Sequence, residues 1–408
     1  MADVIYVSYD GMTDPLGRSQ VLPYLTGLSA LGHRIRLISL EKPGLPIVDG
    51  TTVRKICDHA GIDWHPLFYR SRPPIVSAML NVAALRRETL RLHRERRADF
   101  THCRSDLAGM AGLELKRRCG VPLLYDMRAF WPDERAEGGA WDQSKALYRA
   151  LFRYFKARQR ELITEADHIV MLADEGRKAL LEIGPTPTAP VTVIPCCADF
   201  DHFTLATDDI RLGRRGELGL AENVRLLVHL GSIGCNVLLE EMLDFLAAYR
   251  DRHPSAEMLF VTPEGTAAIS AKATEHGLGK AVHVRSASRE DVPQWLAAAD
   301  LGLFFVRPVF SKKAASPTKL GEMLAVGLPV VTNSGIGDVA AIVHELGAGV
   351  VVPSFDAAAY RDAIEQLSRM RIESLQLREE ARRWFDVRSG VAKYDGIYRK
   401  MTAGAVRE

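Results

Sequence analysis

The stretch Ser316-Pro-Thr-Lys-Leu-Gly-Glu-Met-Leu-Ala-Val-Gly-Leu-Pro-Val-Val-Thr332 combines the parts of an α/β ligand site. A polar loop leads into a short helical pattern, a glycine ends the helix, and residues 328–332 form an apolar strand. The hydroxyls of Ser316 and Thr318 and the ammonium of Lys319 can meet phosphate oxygens at a positive helix N-terminus. Glu322, one turn deeper, can accept from two sugar hydroxyls, because a carboxylate has two acceptor oxygens. The stretch therefore predicts one half of a nucleotide site.

Short apolar runs alternate with helical patterns along the whole chain. Continuous apolar strands separated by helices are typical of parallel sheets that are covered on both faces. The alternation therefore predicts the α/β class, with two Rossmann-like, doubly wound parallel-sheet domains. The predicted strands are residues 4–8, 35–40, 123–126, 168–172, 191–195, 225–231, 258–262, 282–285, 301–306, 328–332 and 349–352.

At 408 residues the chain is too long for one ordinary core, which indicates two or three domains. The strand series restarts at Arg225 after a polar stretch, residues 205–223, that is rich in charge and glycine. We therefore predict a first domain over residues 1–208 and a second over residues 209–383. A final helix, about 384–408, contains Tyr394 and Tyr398 and is too aromatic for a loose tail, so we expect it to pack on a domain.

Composition excludes several classes of protein. No apolar run reaches the roughly 20 residues that span a bilayer, and the N-terminus runs straight into a strand without a secretory signal pattern. The six cysteines show no metal-binding or CxxC spacing, which favours a reduced, cytoplasmic protein. The net charge of +2 gives no reason to expect a nucleic-acid partner.

The first strand is followed by a loop that carries Gly11 and Gly17. A glycine before a helix start lets backbone N–H groups approach a phosphate, so Gly17 is a candidate contact. The alternative, that both glycines only shape a turn, has equal weight on these residues alone. The loop contains neither GxGxxG nor a Walker A pattern, which counts against NAD binding and ATP hydrolysis.

A second dense segment begins at the predicted strand 123–126. This strand brings Asp126 and Arg128 to its C-terminal edge, where an Asp can align an acceptor hydroxyl or accept its proton. The alternative is a structural Asp–Arg pair that shapes the loop. His102 lies at another strand end, where a lone histidine is slightly more often structural than catalytic.

Two further loops are candidates for anion or metal binding. Gly231, Ser232 and Gly234 follow the first strand of the second domain, and we predict that they open the next helix and contact a pyrophosphate; a tight turn is the alternative. Asp199-Phe-Asp201 has a spacing that holds divalent cations elsewhere, but a loop beside the domain junction is the better interpretation, and we predict no metal site.

Six arginines share one helical pattern that begins near Val76. Such a pattern is usually a solvated helix with a core stripe. It can also rest on anionic lipid headgroups, where each cation adds about 1 kcal/mol, so a peripheral contact with a membrane surface remains an alternative. The arginines are Arg86, Arg87, Arg91, Arg94, Arg96 and Arg97.

Together these segments resemble the GT-B glycosyltransferases, specifically the retaining, family 4-like group. The resemblance covers nearly the whole chain and rests on the order and spacing of four segments. They are Tyr9-Asp-Gly-Met-Thr-Asp-Pro-Leu-Gly-Arg-Ser-Gln20, Asp126-Met-Arg-Ala-Phe-Trp-Pro-Asp-Glu-Arg135, Val193-Ile-Pro-Cys-Cys-Ala-Asp-Phe-Asp-His-Phe203 and the stretch 316–332. The resemblance implies two domains facing a cleft, with a nucleoside-diphosphate sugar donor mostly on the second domain and a glycan, lipid-linked or small-molecule acceptor mostly on the first. It also implies that the final helix crosses back to pack on the first domain.

The resemblance also implies roles for individual residues. Glu322 would hold the ribose. Asp126 falls where many relatives place a histidine near the donor sugar, and Arg285 and Ser286 fall where the base is framed. The implied diphosphate contacts are Ser316, Thr318 and Lys319, with Gly17 opposite them.

The chain departs from the family pattern at two places. Ala314 stands where many relatives carry a second glutamate that touches the donor sugar, and the Gly231–Gly234 loop lacks the usual Arg and Lys. Lys319, with Lys312, Lys313 or Arg307, would then supply the positive charge for the diphosphate.

The expected mechanism needs no cofactor and no metal, because aligned N–H dipoles and a lysine can stabilise the leaving diphosphate. No side chain is an evident nucleophile on the far face of the sugar, so we expect a same-face displacement with retention of configuration. Two alternatives remain open at this point. One is a nucleotide-sugar epimerase, and the other is a catalytically weak, nucleotide-binding partner subunit.

Overall fold

The chain folds into two compact units in the computed structural model, which describes residues 1–42, 50–184, 186–221, 223–263 and 266–405. Unit 1 comprises Met1–Pro195 and Val387–Glu408, and unit 2 comprises Cys196–Asp386. Each unit contains one parallel sheet with helices on its faces. The predicted α/β class with two doubly wound parallel sheets is therefore confirmed.

Unit 1 is built on a seven-stranded sheet of order β3-β2-β1-β4-β5-β6-β7, in which every neighbouring pair is parallel. The strands are β1 Asp3–Ser8, β2 Arg34–Glu41, β3 Asp63–Phe68, β4 Phe100–Arg104, β5 Leu123–Met127, β6 His168–Met171 and β7 Val191–Val193. The helices of unit 1 are α1 Pro15–Gln20, α2 Leu22–Ala30, α3 Gly50–His59, α4 Pro74–Glu95, α5 Asp106–Cys119, α6 Trp131–Glu137, α7 Ala146–Glu165, α8 Asp174–Ile183 and the last helix of the chain, α17 Val387–Ala405.

Unit 2 is built on a six-stranded parallel sheet of order β10-β9-β8-β11-β12-β13. The strands are β8 Leu226–Leu230, β9 Glu257–Val261, β10 Val282–Arg285, β11 Leu301–Leu303, β12 Val330–Asn333 and β13 Gly349–Val352. The helices are α9 Asp208–Glu217, α10 Leu239–Arg252, α11 Thr266–Glu275, α12 Val292–Ala297, α13 Thr318–Ala325, α14 Val339–Glu345, α15 Ala357–Arg369 and α16 Ser374–Phe385, with short 3-10 turns at Gly279–Ala281 and Phe310–Ala314.

The strand order fixes where a ligand crevice opens in each sheet. In unit 1 the order reverses between β1 and β4, and in unit 2 it reverses between β8 and β11. At such a point the two following connections leave toward opposite faces, so a crevice opens outside the carboxyl ends of the two strands. Functional residues are therefore expected at the carboxyl ends of β1, β4, β8 and β11.

Two strands lie outside the predicted series. Strand β4 runs on to Arg104, so His102 is its third residue and not its end. Strand β3 gave no sequence signal at all. Its sequence, Asp-Trp-His-Pro-Leu-Phe, contains a proline and no continuous apolar run. It lies at the edge of the sheet, where it pairs with β2 alone. An edge position tolerates Pro66 because one side of the strand needs no ladder hydrogen bond.

The boundary between the units lies after Pro195, about a dozen residues before the predicted junction at 208 and 209. The reason is the packing of Phe200 and Phe203, both 1% exposed, in the core of unit 2. The buried guanidinium of Arg378 in α16 also donates to the backbone carbonyls of both residues. The chain therefore joins unit 2 before the polar stretch that suggested the junction.

The aromatic C-terminal pattern is two helices rather than one. Helix α16 belongs to unit 2 and ends at Phe385. After one intervening residue, α17 begins at Val387 and belongs to unit 1. In unit 1 the hydroxyl of Tyr398 is 2.8 Å from Nδ1 of His102, and Asp395 is 2.8 Å from Nε2 of His33. These contacts hold α17 against the sheet and α2. The last part of the predicted helix, residues 406–408, lies outside the described residues.

Within the described ranges, no helix has the length and apolar content that crossing a membrane requires.

Candidate functional site

The crevice of unit 2 places Lys319 beside His229. His229 is the fourth residue of β8, and Lys319 is the second residue of α13, the helix that follows β11. Nζ of Lys319 is 3.2 Å from Nε2 of His229, although the two residues are 90 positions apart in the chain. The pair therefore lies where the strand order reverses, which is the expected place for a ligand in a sheet of this kind.

His229 acts as a hydrogen-bond acceptor toward this lysine. The imidazole is fully buried, and its Nδ1 lies 3.1 Å from the carbonyl oxygen of Leu303. Burial, followed by the nearby charge of Lys319, lowers the pKa of His229 well below its usual value, so the ring is neutral. A neutral ring has one N–H, and Nδ1 donates it to Leu303, which leaves the lone pair of Nε2 to accept from the ammonium.

Lys319 and Glu322 form the titratable pair of the crevice. Burial lowers the pKa of Lys319 to about 8, and the charge of Glu322 opposes this shift. Burial raises the pKa of Glu322 to about 7, against the opposing charges of Arg289 and Lys319. Both residues are largely buried but keep some exposed surface. An ammonium and a carboxyl group that both titrate near neutral pH mark a candidate site for an anionic, hydroxyl-bearing ligand.

Gly231 lies directly against this pair. Its φ of +102° is a backbone conformation that L side chains rarely adopt, and a Cβ at this position would lie 3.7 Å from Nζ of Lys319. The prediction that Ser232 and Gly234 open the next helix is wrong. Ser232 and Gly234 are exposed, and the next helix begins only at Leu239, so these residues do not open it. The reason is a turn that ends at Val237, which bridges to Val306 before α10 starts.

One hydroxyl of the polar loop before α13 is hydrogen-bonded within the protein. The hydroxyl of Ser316 accepts a hydrogen bond of 3.1 Å from the backbone N–H of Cys196. Thr318 is the first residue of α13 and follows Pro317 at the N-cap, which has no side-chain cap. The N–H groups of Thr318 and Lys319 belong to the first turn, which has no intrahelical acceptors, so they are available to an anion.

Arg285 and Ser286 are exposed at the end of β10, two strands away from β8. Nη1 of Arg285 donates to the carbonyl of Val284 next to it. The described contacts do not bring these two residues to the Lys319–Glu322 pair. Arg289, further along the same loop, does act on the pair, because its charge lowers the pKa of Glu322.

Sequence reasoning missed His229 and Arg289. His229 had a visible signal, because it is the one polar side chain in the apolar strand Leu-Leu-Val-His-Leu. A buried polar group must be paired, so this position calls for a partner. Arg289 gave no such signal in its exposed, polar loop.

Ala314 and the cations near it lie in or close to the 3-10 turn Phe310–Ala314. Ala314 is fully buried at the end of a 3-10 turn that contains Lys312 and Lys313. Nζ of Lys313 lies 5.3 Å from the ring centroid of Phe310. Arg307 is exposed, and its backbone N–H donates to Asn236. Lys319 is therefore the cation whose geometry at the crevice is defined by a partner on β8.

In unit 1, Asp126 is 2% exposed and surrounded by protein partners. One carboxylate oxygen is 3.3 Å from Nη1 of Arg128, and the other accepts from the hydroxyl of Tyr394 at 3.1 Å and lies 3.5 Å from Nε2 of His102. Burial raises the pKa of Asp126, but the interactions with Arg128, His102 and Arg104 lower it by more. The net pKa of Asp126 is therefore below its usual range. Asp126 is therefore ionised and bound within the protein.

Gly17 lies within α1 rather than before it, because the helix already begins at Pro15. A Cβ on Gly17 would approach the carbonyl oxygen of Gly11 to 2.2 Å, so the glycine permits close packing of helix and loop. The N–H groups of Met12 and Thr13 in that loop donate to the carboxylate of Glu41, at 2.8 and 3.0 Å. An internal carboxylate thus already occupies part of the predicted anion-binding loop.

The Asp199-Phe-Asp201 segment forms a turn. Oδ1 of Asp199 accepts from the backbone N–H groups of Asp201 and His202, at 3.0 and 3.2 Å. Among the described residues, no group of three or more His, Cys, Asp or Glu side chains has an arrangement that could hold a metal ion.

Comparison with known families agrees with this architecture. Residues 18–197 match the Glycosyl transferase 4-like domain, and residues 225–370 match the Glycosyl transferases group 1 family. A D-inositol 3-phosphate glycosyltransferase from Thermomonospora curvata is 25% identical over 283 residues, which cover 66% of this chain and 63% of that protein. The chain thus matches less than two thirds of the length of this relative.

Two solved structures share the fold. Sucrose-phosphate synthase from Thermosynechococcus elongatus superposes with a TM-score of 0.74 at 15% identity, covering 99% of this chain and 100% of that one. HepE from Anabaena, in complex with UDP-glucose, superposes with a TM-score of 0.69 at 15% identity, with the same coverage. With one family domain matched in each unit and this fold throughout, the chain belongs to the GT-B glycosyltransferases, with a 4-like N-terminal domain and a group 1 C-terminal domain.

Proposed function

We propose that this protein transfers a sugar from a nucleoside-diphosphate sugar to a hydroxyl group of a glycan, lipid-linked or small-molecule acceptor, with retention of configuration and without a metal ion. The observation that carries the proposal is the Lys319–His229 contact at the strand-order reversal of unit 2, with Glu322 one helical turn away. The UDP-glucose complex of HepE, a protein of the same fold, supports a donor of this class.

In this mechanism Lys319 stabilises the leaving diphosphate. Its ammonium is held by the neutral His229 acceptor and therefore stays directed into the crevice. The N–H groups of the first turn of α13 add fixed dipoles that need no reorganisation as negative charge develops. Glu322 would accept from the two ribose hydroxyls when it is ionised. Arg289, whose charge favours that ionised form, would stabilise the same state.

The acceptor side is assigned to unit 1. Arg128 would contact the acceptor, and Asp126 would act as its positioning residue, because the Asp126 carboxylate is buried and already bound to Arg128, Tyr394 and His102. Glu322, the carboxylate paired with Lys319, is assigned in this proposal to the ribose hydroxyls and not to the sugar carbon. We therefore favour same-face displacement, in which the leaving phosphate takes the proton of the acceptor hydroxyl.

A nucleotide panel tests the donor site. Thermal shifts with UDP, GDP, dTDP and CMP should show one nucleotide that raises the Tm, since a ligand that binds only the folded state stabilises it. Lys319→Ala and Glu322→Ala should each reduce that shift, whereas Lys272→Ala and Glu365→Ala, on other helices of unit 2, should preserve it. Unchanged shifts in both site variants would refute the donor site.

Product analysis tests the reaction class. Incubation of the matching nucleotide sugar with acceptors should release the nucleoside diphosphate and yield an α- or β-linkage of the same anomeric configuration as the donor. Conversion of the donor to another nucleotide sugar without an acceptor would indicate an epimerase. Nucleotide binding without turnover would indicate a binding subunit.

We also propose a contact with an anionic membrane surface through the first half of α4. Val76, Met79 and Leu80 are exposed there, at 54%, 36% and 49%. The positive charge for anionic headgroups would come from the exposed Arg87, Arg94 and Arg97 of the basic stretch, because Arg86, Arg91 and Arg96 form ion pairs with carboxylates. Cosedimentation with vesicles of phosphatidylglycerol and phosphatidylcholine tests this contact. Met79→Glu with Leu80→Glu should abolish binding, and equal binding to purely zwitterionic vesicles would contradict the anionic requirement.

The cytoplasm is the proposed location. All six cysteines are free thiols in the structure, and four of them are buried. Free thiols persist in a reducing compartment.

A further inference from the structure

Ser105 has an unusual backbone conformation at the end of β4. Its φ is 75° and its ψ is 169°, and among the described residues it is the one residue other than glycine with a positive φ. This region of backbone space is populated almost only by glycine and is costly for other residues. A serine in this conformation therefore needs a compensating interaction.

The helix that follows does not provide that interaction. Ser105 is the N-cap of α5, a position where serine usually accepts from the N–H groups of the first turn. Here its side chain makes no cap hydrogen bond. Only its backbone is engaged, because its N–H donates to the carbonyl of Asp126 at 2.9 Å and its carbonyl accepts from Gly109 at 2.8 Å. Within the described part of the chain, no protein partner of the hydroxyl accounts for the strain.

The position of Ser105 points to a ligand. It follows the last residue of β4, and β4 and β1 are the two strands between which the order of the unit 1 sheet reverses. The preceding residue, Arg104, is 4% exposed and pairs with Asp10 beyond the end of β1, while its Nε has no hydrogen-bond partner among the described residues. The partly exposed Ser105 and the incompletely satisfied guanidinium of Arg104 thus occupy adjacent positions at the carboxyl end of β4, beside the crevice of unit 1.

We propose that the hydroxyl of Ser105 contacts a sugar or polyol hydroxyl of the bound substrate, and that the strained backbone holds it in that position. The inference rests on the proposed function and adds a substrate-contacting residue on unit 1. The same chemistry can come from the transferred sugar or from the acceptor. If the conformation served only the tight connection between β4 and α5, glycine would fill the position at lower cost.

Two substitutions separate the strain from the hydroxyl. Ser105→Gly removes both the backbone strain and the hydroxyl, and Ser105→Ala removes the hydroxyl alone. The first should raise the Tm by about 2–4 °C, as expected for relief of strain in a unit of about 200 residues. The second should leave the Tm unchanged or lower it. Ser144→Gly, in an exposed turn of unit 1 without a positive φ, is the matched control and should not raise the Tm.

The functional measurement is the release of UDP from UDP-glucose, first without an acceptor and then with D-inositol 3-phosphate or D-glucose. If the nucleotide panel selects GDP or dTDP, the corresponding nucleotide sugar replaces UDP-glucose. Both Ser105 variants should lose about three- to tenfold in kcat/KM, the effect of one neutral hydrogen bond. A loss in the acceptor-free reaction assigns the contact to the transferred sugar. A raised KM for the acceptor alone assigns it to the acceptor.

Two results would overturn the inference while the proposed function stands. One is wild-type kinetics in both variants, and the other is a Tm that does not rise in Ser105→Gly. If the wild-type protein releases no nucleoside diphosphate from any of these donors, the proposed function itself fails, and this inference fails with it.

Discussion

Nζ of Lys319 lies 3.2 Å from Nε2 of a neutral His229, so a buried imidazole on one strand holds the ammonium on the first turn of the neighbouring helix. The contact joins the end of β8 to the start of α13 across the crevice of unit 2. In the proposed donor site, it fixes the position of the lysine that would face the diphosphate. Burial of Lys319 and Glu322 also makes the site sensitive to pH.

Donor affinity should follow a bell-shaped pH profile with its maximum between pH 7 and 8. The pKa of Glu322 is raised to about 7 and the pKa of Lys319 is lowered to about 8, so both groups carry their binding charge only within that window. Below it Glu322 is protonated, and above it Lys319 is neutral. Titration of the selected nucleoside diphosphate by calorimetry from pH 6 to 9.5 measures the profile.

Lys319→Arg separates the two limbs of this profile. Arginine stays charged throughout this range, so the fall above pH 8 should disappear while the fall below pH 7 remains. The folding stability of the ligand-free protein changes in the opposite direction from donor affinity above pH 8. Because the pKa of Lys319 is lower in the folded state, the unfolded state binds more protons between about pH 8 and 10.5, and the stability contributed by this group rises there. A flat affinity profile in the wild-type protein would contradict the assignment.

Gly231→Ala and Gly234→Ala should change stability in opposite directions. Gly231 has a φ of +102°, so a side chain there should cost about 1–3 kcal/mol in the free energy of unfolding, and its Cβ would approach Lys319. Gly234 has no heavy atom within 4 Å of a built Cβ and no positive φ, so alanine should stabilise by about 0.4–1 kcal/mol. Urea unfolding of both variants tests the pair; equal effects would show that the Gly231 backbone is not constrained.

Asp126→Asn should destabilise unit 1 strongly. The substitution leaves the buried guanidinium of Arg128 without its carboxylate, which typically costs about 3–5 kcal/mol. Tyr394→Phe, which removes one donor to the same carboxylate, should cost less, about 1.5–3 kcal/mol. Denaturant unfolding measures both. If Asp126→Asn retains stability but loses activity, Asp126 acts directly on substrate rather than by positioning Arg128.

Asp106→Asn should stabilise the protein at pH 8 and not at pH 4. Nε2 of Gln159 donates to Oδ1 of Asp106 at 2.8 Å, while Oδ2 of Asp106 and Oε1 of Gln159 are both buried without a described partner. A proton on Oδ2 directed at Oε1 would satisfy both oxygens. Burial, opposed by the hydrogen bonds of Gln159 and Tyr125, raises the pKa of Asp106 to about 6, which agrees with a protonated group below that pH.

The sign of this pH effect follows from the direction of the shift. The folded state binds more protons than the unfolded state between about pH 4 and 6, so the stability from Asp106 is lost as the pH rises through 6. An amide at position 106 offers the same two hydrogen bonds at every pH, and the expected gain at pH 8 is on the order of 2 kcal/mol. Tyr125→Phe is the control, since it keeps the carboxyl group and should keep the pH dependence. Parallel stability curves for the wild-type protein and Asp106→Asn would contradict the pairing.

The α/β class, the two sheets and the loop–helix–strand unit around Lys319 and Glu322 could be predicted from the amino-acid sequence. These features are encoded locally, by apolar runs, by a helical pattern of eight residues and by Gly327, whose φ of +68° ends the helix. Local signals act over a few residues, and each residue type carries them in its own backbone preference. The edge strand β3, with Pro66, gave no such signal and was missed.

Which of these groups contact each other depends on the folded arrangement of the strands and helices. His229 and Lys319 are 90 residues apart, and Asp126 and Tyr394 are 268 residues apart, so no sequence spacing could relate them. Their partners are set by strand order and by the packing of α17, which depend on the summed burial of the whole sheet rather than on local preference. Burial also sets the pKa values of Lys319 and Glu322, because the loss of water around a charge is a property of the folded surroundings and not of the residue.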